Sequence, residues 1–204
     1  MLNLIASALN RNDEAPNIEI AEKLAKSKDA KGIAEIASGL SMKNAIANDC
    51  IKVLYEIGER NPELIAPHAD EFLNLLKSKN NRLVWGAMAA LEEISPICAK
   101  EIYARIGEVV YAYENGSVIT IDHSISVFAS LCKANQKYEK TIVPILLAHF
   151  EKCRAKEIPQ HFERLSVYLT QNNVAPFQSI IDSRYDEMTQ SQQSRIKKVI
   201  KTLN

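Results

Sequence analysis

Apolar residues in this chain recur every 37 positions, and that arithmetic constrains the fold more than any other feature. Leu54 steps to Leu91, Phe128 and Leu165. Ile57 steps to Ile94, Leu131 and Tyr168, and Ile51 to Met88, Ile125 and Phe162. Ala47 steps to Val84, Ile121 and Ile158, so four columns stay apolar over four copies without a gap. Within one copy the spacing is that of a single helical face. A fixed period of this length marks stacked supersecondary units, none of which can bury its apolar face alone.

The segments between these helices repeat as well. Ala69 steps to Ile106, Val143 and Ile180, Leu73 to Val110 and Leu147, and Leu76 to Tyr113 and Phe150. The unit is therefore two amphipathic helices, A then B. Asn80 and Asn81 are candidate N-caps of one B helix, and Asn115-Gly116 is a helix stop. Earlier in the chain, residues 17–27 and 30–40 read as one B and one A helix, with residues 2–10 as a leading amphipathic cap helix. The expected fold is all-α: a right-handed α-α superhelix of about five antiparallel helix pairs. It forms one domain over 1–204, with N-terminal cap helices at 1–29, repeats at 30–188 and a closing helix at 189–204.

Composition agrees. Only 6 Gly and 7 Pro appear, few for a turn-rich all-β chain. Lys plus Arg and Asp plus Glu are 25 each. That balance gives no global attraction to nucleic acid or to an anionic membrane. No apolar run approaches the roughly 20 residues of a membrane span. The first residues lack the basic start of a secretory signal, so the expected location is the cytoplasm.

The period, and the stretch APHADEFLNLLKSKNNRLVWGAMAALEEIS at 66–95, resemble HEAT or armadillo-like repeats. The shared features are an early proline in helix A, a Leu-Leu pair, a polar turn, and then Val84, the small residues Ala87, Ala89 and Ala90, and Leu91. The family's frequent Asp in the A–B turn and Arg in helix B are replaced by Asn80 or Asn81 and by Trp85. The resemblance spans about 30–203. It implies an extended concave surface lined by B helices, and it leaves function open.

Chemistry is sparse. No HExxH, P-loop, GxGxxG or GxSxG occurs. The four histidines (68, 123, 149, 161) and four cysteines (50, 98, 132, 153) lack ligand-like or CxxC spacing. No metal, cofactor or disulfide is expected. His161 shares its 37-step column with Cys50, Ala87 and Ser124, the setting of a buried structural histidine.

On the B helices, about 100° per residue places Tyr55 and the position occupied by Trp85 on one flank, at the edge of the core. Glu92 follows Tyr55 by one period, and Asp122 follows Trp85. Trp and Tyr are enriched at binding hot spots. The expected function is non-enzymatic protein binding, with Tyr55, Trp85, Glu92 and Asp122 as candidate contacts for a protein or peptide laid in the groove. The alternative comes from the resemblance. Some DNA glycosylases for alkylated purines are built from HEAT-like repeats and use tryptophans and an aspartate, to which Trp85 and Asp122 would correspond. One tryptophan and an acidic groove make nucleic acid the weaker partner.

Overall fold

A computed structural model describes residues 1–203. It contains twelve α-helices, and no strand occurs among the described residues. In chain order they are α1 (Ala15–Ser27), α2 (Ala30–Ser38), α3 (Asn44–Arg60), α4 (Ala69–Leu75), α5 (Asn81–Ile94), α6 (Ala99–Ala104), α7 (Ile106–Asn115), α8 (Val118–Ala134), α9 (Glu139–Lys152), α10 (Ile158–Leu165), α11 (Ala175–Ser183) and α12 (Gln190–Thr202). None is long and apolar enough to cross a membrane. The chain divides into two compact units, 1–124 and 125–204, the boundary falling within α8.

In the first unit, α3 packs against α1 on one side and α5 on the other, while α4 lies on α5. Leu54, Ile57, Ile51 and Ala47 are buried on α3, and Leu91, Ile94, Met88 and Val84 on α5, so the 37-step columns of both helices face inward. Small residues allow the close approach. A Cβ on Gly86 would lie 2.8 Å from Ile51 Cγ1, and Ala87, Ala89 and Ala90 are buried beside it. Asn80 caps α5, its side chain accepting from Arg82 N at 3.0 Å. It also donates to Asn48 Oδ1 at 2.8 Å, fixing the start of α5 on α3.

In the second unit, α10 packs on α12 and α9 on α11. Phe128, Phe162 and Leu165 are fully buried. Phe150 makes edge-on contacts with Phe162 and Phe177, at centroid distances of 6.2 and 6.0 Å.

The intervening A segments are less regular than the period suggests. The first begins with two 3-10 turns, Pro62–Leu64 and Ala66–His68, before α4. Pro67 lies in the second turn, where its missing N–H costs nothing. The next segment breaks at Arg105 between α6 and α7. Its guanidinium bonds Asn74 Oδ1 at 2.8 Å and Glu108 Oε2 at 2.5 Å. Pro144 sits inside α9. The expected columns stay inside at Ala69, Leu73, Leu76 and Phe150 but not throughout. Phe72, Val109 and Leu146 are fully buried and one period apart, whereas Ile106, Val143 and Ile180 are half-exposed. One residue of offset turns a helix by about 100°.

Residues 2–10, expected as a cap helix, form a run of turns. Side chains take up the amides a helix would use. Ala6 N donates to Asn17 Oδ1 at 2.9 Å, and Ser7 N to Asp49 Oδ2 at 2.7 Å. Asp49 Oδ1 accepts from Asn17 Nδ2 at 2.8 Å, and Asn17 is fully buried. The run ends at Asn10, whose φ of 54° is left-handed. Ile5 and Ala6 are buried, so the segment still closes that end of the core.

Candidate functional site

The flank of α3 and α5 brings Tyr55 and Trp85 together. Their ring centroids are 5.7 Å apart with planes at 48°. Tyr55 is 7% exposed. Trp85 is only half-buried, so the indole is the part of the pair that solvent reaches. Each ring carries a cation. Lys52 Nζ lies 4.8 Å from the Tyr55 centroid, and the Arg82 guanidinium 5.5 Å from the Trp85 centroid.

Both cations are also held by carboxylates. Lys52 Nζ meets Glu56 Oε1 at 2.6 Å and Glu14 Oε2 at 3.1 Å, and Glu14 also binds Arg82. Glu56 accepts from Arg60 at 2.6 Å. Glu14, the residue before α1, thus joins α1 to α3 and α5 through one carboxyl group. The Arg82 hydrogen bond, with help from Lys52, holds Glu14 below the ordinary glutamate range. Burial disfavours the charged Lys52, yet Glu56, Tyr55 and Glu14 outweigh it and its pKa is raised. Arg82 and Glu14 also line a polar cleft of 510 Å³ with Asn48, Asp49 and Asp13.

Glu92 and Asp122 are both half-buried. The Glu92 carboxylate meets His123 Nδ1 on α8 at 2.5 Å, and Asp122 precedes that histidine in the chain. Burial pushes the Glu93 carboxyl above its usual range, and the charges of Glu92 and Glu59 add to the effect. Glu59 is raised by burial and by Glu56. The α3–α5 face therefore combines an accessible indole, internally paired cations, and carboxyls that resist ionisation.

All four cysteines are free thiols. Burial raises Cys50 and Cys132 to about 12 and Cys153 to about 11, so none is an activated nucleophile. In the second unit the fold assembles a group that sequence spacing did not suggest: His149, Cys153 and His161, with ligand atoms within 4.8 Å of one another. His149 and Cys153 are four residues apart at the end of α9. His161 reaches them from α10, across a turn, which a search along one helical face cannot detect.

A further cleft of 710 Å³ in the second unit is lined by Tyr185, Asp186, Ile196 and Lys197. None of the expected site residues lines it.

No protein-family model matches the chain, and no curated protein matches it. A solved structure resembles it: the crystal structure of an engineered protein determined by the Northeast Structural Genomics Consortium. The TM-score is 0.55 at 16% sequence identity, over 98% of this chain and 96% of that one. At that identity the likeness is one of fold alone.

Proposed function

We propose that the chain is a non-enzymatic scaffold of the HEAT or armadillo kind, a right-handed α-α superhelix of about five antiparallel helix pairs that works in the cytoplasm. It holds a protein segment against the α3–α5 flank. The observation that carries this reading is the Tyr55–Trp85 pair: two aromatic rings in contact on neighbouring helices, with the indole partly open to solvent. Such a pair offers a large apolar contact at small entropic cost. The helix stacking of the first unit, with α3 between α1 and α5, is the packing such a scaffold requires.

The charges favour a peptide over a nucleic acid. Lys52, Arg60 and Arg82 are already paired with Glu14 and Glu56, so phosphates would have to displace carboxylates. Glu59 and Glu93 would gain from an arriving cation, which suits a segment carrying an apolar anchor next to Lys or Arg.

The test uses Trp85, the only tryptophan. Peptides captured from the native cell should change its fluorescence on titration. Trp85→Ala should weaken their binding by about 2 kcal/mol or more and leave helix content unchanged. Unaltered binding in that variant removes this flank as the site. Tight binding to single-stranded or duplex DNA that collapses with salt would replace the peptide reading with the glycosylase-like one.

A further inference from the structure

We infer that His149, Cys153 and His161 form a binding site for a zinc-like divalent cation in the second unit, held by two imidazole nitrogens and one thiolate.

The geometry is close to that of a bound site. His149 Nε2 and His161 Nδ1 face each other at 2.8 Å. Their ring centroids are 4.8 Å apart with planes at 56°, so the rings meet through their nitrogen edges and are not stacked. All three ligand atoms fall within 4.8 Å of one another. Zn–N bonds of about 2.0–2.1 Å and Zn–S bonds of about 2.3 Å place tetrahedral ligands roughly 3.3–3.7 Å apart. The two nitrogens need only separate slightly and the sulfur close in slightly, adjustments within the reach of side-chain rotation.

The backbone around the cluster is fixed independently. Cys153 caps α9, its N–H donating to His149 O at 2.8 Å. Arg184 Nη1 donates to the carbonyls of both Phe150 and Cys153 at 2.8 Å, clamping the turn that carries the sulfur. Phe150 packs edge-on to His149 at 5.7 Å, which helps hold that ring. His149 and His161 are buried, whereas Cys153 is half-exposed, so an ion can reach the cluster past the sulfur. The positive charge of Arg184 is met by Glu187 at 2.7 Å, and Glu157 pairs with Arg154 close by.

A buried histidine pair can exist simply to satisfy its own hydrogen bond. Here a sulfur completes a third corner, and two imidazoles with a thiolate are a ligand set suited to zinc. One of the two facing nitrogens carries the proton of their hydrogen bond, so that ring shifts its proton to its other nitrogen, and each neutral ring then turns a lone pair to the metal. Cys153 loses its thiol proton to solvent, so the site gains one positive charge and releases one proton. Three protein ligands leave a fourth position for water or an added ligand.

The whole chain, stripped with a chelator, would be titrated with Co²⁺ alone and then Zn²⁺ alone. One ion per chain is expected, with a sulfur-to-cobalt charge-transfer band that zinc abolishes. X-ray absorption of the zinc form should show two nitrogens and one sulfur from the protein. Cys153→Ser should remove the band and weaken zinc binding by at least about tenfold, the loss already typical of outer-shell changes. His149→Gln and His161→Gln should abolish stoichiometric binding. Absence of a bound ion in a chain with native circular dichroism overturns the site. So does a charge-transfer band that survives Cys153→Ser. Should His161→Gln unfold, Cys153→Ser still decides, because it exchanges one half-exposed atom.

Discussion

One period before His149, Cys153 and His161 stand Ala112, Gly116 and Ser124. Each residue of the later trio has its counterpart 37 positions earlier, yet the two regions use the same frame in opposite ways. In the first unit the positions are filled by the smallest side chains. A Cβ on Gly116 would lie 2.4 Å from Ala112 O and 2.7 Å from Thr120, and Ser124 Oγ donates to Thr120 O at 2.7 Å. Backbone and hydroxyl occupy the space outright. In the second unit Cys153 is extended at the end of α9, as Gly116 is at the end of α7, but here a 3-10 turn, Ala155–Glu157, leads into α10. That turn makes room for two imidazoles and a thiol. A repeat fixes where side chains point, and the local turn decides how much space they find.

The largest effect expected concerns what the two regions share. Leu91 and Leu165 occupy one column and both are fully buried. Leu91→Ala and Leu165→Ala should each cost about 2–5 kcal/mol, measured by denaturant unfolding. A negligible loss in either would mean that this copy does not use the common register.

A smaller effect isolates what they do not share. Gly116→Cys gives the earlier copy the cysteine of the later one. The new Cβ meets backbone and not a flexible chain end, so a cost of about 1–3 kcal/mol is expected, as for other overpacked sites. A variant as stable as the parent would show that the turn at Gly116 yields easily, and the contrast between the copies would dissolve.

The smallest effects compare two kinds of carboxyl within the first unit. Glu14 is held below the ordinary glutamate value of 4.5 by Arg82 and Lys52. Its contribution to stability is present above the unfolded value and lost as pH falls through the folded one. Glu93 is raised above 4.5 by burial and by Glu92 and Glu59. Its ionisation therefore opposes folding above the raised value, and the penalty disappears below the unfolded one. Glu14→Gln should lower the melting temperature slightly at neutral pH, and Glu93→Gln should raise it slightly. Both differences should shrink in acid. A Glu93→Gln variant less stable than the parent at pH 7 would reverse the sign assigned to that face.

Much of this was legible in the sequence, because the columns depend only on helical period. Leu54, Leu91, Phe128 and Leu165 are all fully buried, and the Asn80 cap falls where its residue type placed it. The contact between Tyr55 and Trp85 follows from the same arithmetic applied to two neighbouring helices. The A segments were less legible. Pro67 and Arg105 interrupt them: Ala69, Leu73, Leu76 and Phe150 are buried where the columns place them, but in the next two segments Val109 and Leu146 are buried while Ile106, Val110, Val143 and Leu147 are half-exposed. Residues 2–10 have a helical apolar pattern, but Asn17 and Asp49 compete for their amides, and competition from side chains far along the chain leaves no local trace. Asn115-Gly116 stops α7 as expected, though by a different device. Gly116 is extended, with ψ of −178°, and what excludes a side chain there is Ala112 O. The His149–Cys153–His161 group is invisible to any single-helix reading because its members straddle a turn.

The tether between Ser7 and Asp49 bears on the order in which the chain acquires structure. The two residues are 42 positions apart. During synthesis Ser7 emerges well before Asp49, the acceptor of its amide. That acceptor arrives only with α3, and it is in place only after α3 has met α1 and Asn17. Hydrogen exchange at Ser7 should therefore report the meeting of α1 with α3. It would be slow to gain protection in pulse-labelled refolding, and in the native chain it would open with that contact.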